Sequence, residues 1–355
     1  MRELALIGAG RVGKAFLRFW NDRDIIVVDP YVTMGLFDHE YAVSDEIKPG
    51  MAKVAVVAVP GALAPRIIYK CLDAGMNVID ISFHNGDNES IGKYAEANGC
   101  WYIPDCGFGP GIVNMMVRRL AIENAGVHTI NAYIGGVPVR QEGPWYYKGT
   151  WNTEDHLEEY IRPARFIKDG AQYSVMPLEQ DPEFLTVPGV GNMEAFCSDG
   201  LRTLLRKPDA PNVTEYTLRW PGFIEKMKLM YDSGLLRPEN IGTFANAIEK
   251  SEVWKLEEGE QDMSVLDVQA KAHTQFMSGK YMTGMRLIHR RYVHFNHSSM
   301  SWCTAVGAGA VLHTVLNNPS SRVGIHYIED IVSDHKQCGD YIAMLEQGGL
   351  EIEEY

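Results

Sequence analysis

The chain has 355 residues, 46% of them hydrophobic and 22% charged, enough to bury a full core and to form two domains. A formal net charge of −13 opposes nucleic acid and anionic lipid, so neither a nucleic acid nor a membrane partner is expected. Six cysteines, at positions 71, 100, 106, 197, 303 and 338, form no C-x-x-C pair and no metal-ligand spacing, as suits free thiols in a reducing compartment.

The first strand starts within three residues of the N-terminus, so no secretory leader is expected. No apolar run approaches the roughly 20 residues of a membrane span, and a cytoplasmic location is expected. Residues 4–30, LALIGAGRVGKAFLRFWNDRDIIVVDP, read as a strand, a glycine turn, a helix from about Arg11, and a second strand ending in Asp29. Gly8, Gly10 and Gly13 stand in G-x-G-x-x-G spacing, and the acid lies 19 residues after Gly10. In that pattern Gly8 permits a tight turn, Gly10 admits a pyrophosphate, and Gly13 lets helix and strand pack closely. Ala9, Arg11 and Val12 complete the phosphate turn, whose amides open the helix. The Asp29 carboxylate suits a ribose 2′-hydroxyl and repels a 2′-phosphate, and Pro30 and Tyr31 bring no adjacent arginine. NAD is therefore expected ahead of NADP.

Further on, strands at Val54–Val59, 76–82 and 100–107 alternate with helices, which predicts a doubly wound parallel sheet of the Rossmann kind. A helix of about 15 residues then enters at Pro110 and Gly111. From about residue 128 the pattern becomes α+β. Residues 128–139, 166–178, 212–223 and 287–298 read as β, while 195–207, 221–236 and an Ala/Gly-rich stretch at 300–318 read as helical. The expected division is a dinucleotide-binding domain over 1–125, an inserted α+β domain over 126–298, and a segment 299–355 returning to the first domain.

Ligands of an open parallel sheet sit beyond the carboxyl ends of its strands. Val59 and Pro60 would lie over the nicotinamide ribose, and Ser82 leaves the next strand end. Asp105 ends a third, before a glycine-rich turn, either as a group touching substrate or cofactor or as a helix cap. Lys148 lies among Trp145, Tyr146, Tyr147 and Trp151, either as a desolvated base or as a snorkelling surface lysine. Arg219, before a Pro-Gly turn, suits a carboxylate or a structural ion pair. Glu194 and Asp199 offer carboxylates to an ammonium group. His289, His294 and His297 differ in parity along a β-like run and do not share a face, so no metal site is expected.

The stretches IGAGRVG, PDCGFGPGIVN, IGGVP, YYKGTW, LEEYIRPARFIKDG, VPGVGNMEAFCSDGLRTLL and TLRWPGFIEKMKLM together resemble the saccharopine dehydrogenase-like oxidoreductases, most closely their L-lysine 6-dehydrogenase branch. They run in order over roughly residues 4–232. The region 240–300 matches only loosely, and the helix SWCTAVGAGAV lacks a Thr-Thr-Gly run. The resemblance implies a Rossmann domain with an inserted substrate and dimerisation domain, a homodimer, and NAD(P)-dependent oxidation at a C–N bond. For the lysine branch it implies oxidation of the ε-amine to allysine, which cyclises to 1-piperideine-6-carboxylate.

A scheme consistent with both readings makes Lys148 or Asp105 the base that neutralises the amine. Arg219 grips the α-carboxylate, Glu194 or Asp199 meets the α-ammonium, and Tyr147 and Trp151 line the substrate. The substrate is then an amino acid or diamine. A saccharopine- or carboxynorspermidine-type reductase is the alternative within the fold, and a non-catalytic NAD-binding protein the alternative outside it.

Overall fold

In the first unit, Met1–Ile112 with Ser301–Gly348, the apolar run at the N-terminus becomes β1 (Arg2–Ile7), whose last four residues are buried. The rest of this stretch comprises α1 (Arg11–Trp20), β2 (Ile25–Val28), β3 (Ala42–Ser44), β4 (Ala52–Val57), α2 (Ala64–Asp73), β5 (Asn77–Asp80), α3 (Asn88–Ala97) and β6 (Trp101–Ile103). The structure is a computed structural model and describes residues 1–21, 24–31, 41–124, 126–256, 260–273, 280–291, 297–318 and 322–355.

The six strands and a short seventh, Gly324–Ile325, form one parallel sheet in the order Gly324–Ile325, β6, β5, β4, β1, β2, β3. Near-continuous Val, Ile and Ala runs suit strands covered on both faces. Ala5, Ile7, Ala55, Val57, Ile68, Leu72 and Tyr102 share one core beneath α2 and α3. The chain winds from β1 through β2 to β3, then returns to β4 on the other side of β1. The strand order therefore reverses between β1 and β4, where an open α/β sheet forms its ligand crevice.

The second unit, Val113–Met300 with Gly349–Tyr355, contains nearly all of α4 (Ile112–Glu123) and the long β7 (Val127–Pro138). It continues through α5 (Thr153–Glu158), β8 (Ala164–Lys168), β9 (Ala171–Val175), β10 (Glu183–Val187), β11 (Gly191–Cys197) and β12 (Asn212–Arg219). Then come α6 (Phe223–Asp232), α7 (Ile241–Glu249), β13 (Asp262–His273) and β14 (Lys280–Arg290). The sheet runs β10, β11, β12, β7, β13, β14 and Ile352–Glu354, with β8 and β9 attached beside β12. Among the described strands of this unit β12 and β7 pair in parallel, and the other strand pairs are antiparallel.

Several expectations need correction. The last seven residues join the second unit, because Ile352–Glu354 pairs with Met285–Leu287. The unit boundaries accordingly fall at 112/113, 300/301 and 348/349. Residues 195–207 are not a helix: Ala195 pairs with Glu183 on one side and Leu218 on the other, and only Arg202–Leu205 makes a short 3₁₀ turn. Sheet pairing overrides local helix propensity there. β14 ends at Arg290, so His297 is not on the strand, and His294 lies outside the described residues. The helix Ser299–Asn317 is long and apolar enough to span a membrane by length and composition, although most of it is buried in the protein. Its small residues allow close packing: a Cβ on Gly309 would lie 2.3 Å from Cε1 of Phe19.

Candidate functional site

In the first unit the candidate site is the glycine turn at the switch point. Gly8 has φ +96°, and a Cβ there would lie 2.5 Å from the Ala58 carbonyl oxygen. A Cβ on Gly13 would lie 2.1 Å from the Gly8 carbonyl oxygen, whereas one on Gly10 meets nothing within 4 Å. Two of the glycines are thus required by the fold, and the third opens space at the helix N-terminus. Gly10 is the N-cap of α1 with no side chain bonded to the first turn, so the amides of Arg11, Val12 and Gly13 face that space uncapped by any side chain. Asp29 buttresses the turn, accepting from the Ala9 amide and from the Tyr31 amide, both at 2.9 Å. Ala9 therefore contributes through the shape of the turn, its amide being taken by Asp29.

Val59 and Pro60 follow β4 directly. Ser82 follows β5, and its hydroxyl and amide both donate to Oδ1 of buried Asp80. The other Asp80 oxygen lies 3.1 Å from His84 Nε2 and accepts from the Tyr102 hydroxyl at 3.3 Å. His84 Nδ1 accepts from the Gly86 amide, so the ring proton belongs on Nε2. Sequence reasoning singles out Ser82 alone at this strand end; Asp80 and His84 join it there only in the folded chain. Asp105 is buried at φ +62°, in the left-handed region that costs a non-glycine residue strain. It precedes α4 by seven residues and does not cap it. Burial, with Asp80 and Asp105 nearby, pushes the neighbouring Cys106 thiol well above its ordinary range, which keeps it unreactive.

In the second unit Arg219, at the end of β12, enters a box of aromatic rings. Its Cζ lies 5.2 Å from the Tyr147 centroid, 5.8 Å from Phe223, and 5.9 Å from both Tyr160 and Phe196. The guanidinium donates to the Tyr160 hydroxyl at 3.0 Å, to the Leu218 carbonyl at 2.8 Å and to Glu159 Oε2 at 2.9 Å. Burial opposes its charge, but Tyr160 and Glu159 outweigh burial and hold its pKa above the ordinary arginine value.

His156 stacks on Tyr147 at 4.5 Å and 6°, and meets Trp151 edge-on at 5.5 Å. Burial, then Arg219, drives the His156 pKa far below its usual value, so the imidazole is neutral. Burial also pushes the Tyr147 phenol up to about 12, which keeps it a neutral donor. Tyr147 and Trp151 are thus gathered around His156, and Tyr147 also meets Arg219.

Glu194 and Asp199 are placed elsewhere. Glu194 pairs opposite Arg219 in the strand register, yet its carboxylate accepts from the Gly222 amide at 2.9 Å and the Ile224 amide at 2.5 Å, capping α6. Asp199 takes Arg165 bidentately at 2.7 and 2.8 Å, with Arg162 at 3.7 Å. Lys148 pairs with Glu260 at 3.1 Å. His156, Glu159 and Tyr160 were missed as a group. The available signal was their i, i+3, i+4 spacing on a helix start within HLEEY. No group of three His, Cys, Asp or Glu that could hold a metal occurs among the described residues.

Residues 107–350 match the family model described as the saccharopine dehydrogenase C-terminal domain. The saccharopine dehydrogenase [NADP(+), L-glutamate-forming] of Saccharomyces cerevisiae is 23% identical over 227 residues, covering 61% of this chain and 51% of that protein. The enzyme of the same name from Pyricularia oryzae is 23% identical over 265 residues, covering 67% and 59%. The mitochondrial alpha-aminoadipic semialdehyde synthase of Rattus norvegicus is 22% identical over 208 residues, 52% of this chain and 21% of the other. The chain thus spans roughly half the length of the first two curated relatives it matches. Among solved structures, apo saccharopine dehydrogenase (L-Glu forming) from Saccharomyces cerevisiae matches over 100% of both chains with a TM-score of 0.78 at 15% identity, a likeness of fold.

Proposed function

The chain belongs to the saccharopine dehydrogenase family of oxidoreductases, and from that premise we propose that it uses NAD⁺ to oxidise the terminal amine of L-lysine or of a related amino acid or diamine. The products are an imine, NADH and a proton; water then converts the imine to allysine and ammonia, and allysine closes to 1-piperideine-6-carboxylate. The observation that carries this reading is the Arg219 box, where the rings of Tyr147, Phe223, Tyr160 and Phe196 surround one guanidinium. One buried guanidinium with a neutral histidine beside it suits a substrate with one carboxylate and an aliphatic chain.

The glycine turn fits a dinucleotide, since Gly10 leaves open space above uncapped amides and Asp29 stands at the end of β2. Bound there, NAD⁺ supplies the hydride acceptor. Asp29 orients the adenine ribose and disfavours a 2′-phosphate, and the amides of Arg11 to Gly13 receive the pyrophosphate. Arg219 holds the α-carboxylate, with Tyr147 and Trp151 covering the aliphatic chain. Lys148 or Asp105 takes the ammonium proton, because nitrogen must regain its lone pair before hydride can leave the adjacent carbon.

The names of the relatives favour a second reading, in which the substrate is saccharopine and the cofactor NADP. Purified protein is incubated with NAD⁺ or NADP⁺ and lysine, ornithine, a diamine or saccharopine, and the absorbance of reduced nicotinamide is followed. Turnover of lysine with NAD⁺ supports the proposal. Turnover of saccharopine alone replaces it with the second reading, and cofactor binding without any turnover replaces it with a binding protein.

A further inference from the structure

A line of buried polar side chains runs away from Arg219 in the second unit. Glu215 and Thr217 precede Arg219 at alternate positions of β12, Ser198 follows β11, and Glu159 follows α5. Ser198 Oγ lies 2.8 Å from Glu215 Oε2 and 2.7 Å from Thr217 Oγ1, and Thr217 Oγ1 lies 2.6 Å from Glu159 Oε1. Each is an O–H···O separation, and each needs one proton between its oxygens. The two hydroxyls supply two protons for three links. The third must sit on a carboxyl.

Glu159 is the weaker holder, because its other oxygen lies 2.9 Å from the Arg219 guanidinium, which favours the anion. Glu215 has the opposite surroundings. It is 3% exposed, and its carboxyl faces Ser198 and the Gly200 amide, which donates to it at 2.8 Å. The charges acting on it most strongly, Glu159 and Asp199, are both acidic. The nearby cations are engaged, Arg219 on Glu159 and both Arg165 and Arg162 on Asp199. Burial, reinforced by those acids and only partly offset by the Ser198 and Gly200 hydrogen bonds, pushes the Glu215 carboxyl up to about 8.

We infer that Glu215 is a neutral carboxylic acid donating to Ser198, which donates to Thr217, which donates to Glu159, so that the line aims the Glu159 carboxylate at the Arg219 guanidinium. Glu215 is a positioning residue: it acts on Arg219 through three other side chains. Loss of its proton leaves three links with two protons. Ser198 must then turn its proton to Glu215, which leaves the Ser198–Thr217 link without one, so Thr217 is no longer held in its orientation towards Glu159 and Arg219. The catalytic consequence, though not the protonation itself, rests on the reading of Arg219 as the carboxylate-holding group.

The test is carbon NMR of the full chain labelled at the glutamate side-chain carboxyls. A carboxyl resonating as the acid is expected at pH 7, absent from Glu215→Gln, shifted in Ser198→Ala and retained in Glu194→Gln. If Glu215→Gln does not fold, the Ser198→Ala shift carries the assignment. No acid signal in the native protein, or one that persists in Glu215→Gln, overturns the inference. In turnover assays the amine substrate's KM is expected to rise about tenfold as pH passes about 8, with kcat held, and to lose that pH dependence in Glu215→Gln. A native KM flat through that range overturns the link to Arg219. Absence of any turnover overturns the proposed function and leaves the carboxyl signal to decide this one.

Discussion

Replacing Glu215 by glutamine isolates the energetic weight of one buried carboxyl. The native group has its pKa raised from 4.5 to about 8, with burial as the leading cause. A carboxyl raised in the folded state contributes stability that is fully present below its unfolded value and is lost as pH rises to the folded value. The loss therefore spans pH 4.5 to about 8. At 1.36 kcal/mol per unit this amounts to about 3 kcal/mol by pH 7 and about 5 kcal/mol once the transition is complete. Glutamine ionises in neither state; its amide nitrogen donates to Ser198 but, unlike the carboxyl oxygen it replaces, cannot accept from the Gly200 amide. At pH 4.5 the two proteins should differ by ~1 kcal/mol or less, the scale of one exchanged hydrogen bond. Urea unfolding followed by tryptophan fluorescence, run on both proteins from pH 4.5 to 9, measures the difference directly. Titrating groups remote from Glu215 contribute equally to both and cancel. The gap should open in favour of glutamine as pH rises and then level off. Parallel stability curves over that range would falsify the assignment of a neutral carboxyl.

Gly13→Ala, with its Cβ 2.1 Å from the Gly8 carbonyl, should distort the turn and lower the melting temperature. Gly10→Ala, with open space around it, should melt like the native protein yet bind dinucleotide at least about tenfold more weakly by calorimetry. Equal losses in both variants would refute the distinct roles of the two glycines. Asp29→Ala removes the acceptor for the Ala9 and Tyr31 amides and should raise the NADP⁺ to NAD⁺ affinity ratio by about tenfold. An unchanged ratio would remove Asp29 from cofactor choice. Arg219→Met leaves the half-buried Glu159 without its cation and should cost about 1–3 kcal/mol in chemical unfolding. Adding Glu159→Gln should recover most of that loss, and a double variant no more stable than the single one would discount the pair.

The sequence by itself determined the elements whose causes are local. Gly8 and Gly13 are dictated by the space around their own turn, and the acid at position 29 follows from the short strand before it. Continuous Val and Ile runs ahead of turn residues specify buried parallel strands, so the dinucleotide-binding architecture was legible from residues 4–111.

The tertiary structure decided what the charged groups do, because their partners are remote. Glu194 looked available to an ammonium group, but it caps a helix begun 28 residues later. Asp199 looked equally available, and its partner Arg165 lies 34 residues earlier. Arg219 was readable as a cation suited to a carboxylate; its immediate partner, Glu159, comes from 60 residues upstream. The strand β11 was hidden for the same reason, since pairing with β10 and β12 outweighs a helix-like local pattern. Glu215 offered no signal at all, being an acid in an alternating strand that reads as solvated. Its protonation follows from burial and from counting protons along oxygens that only folding brings within 3 Å of one another.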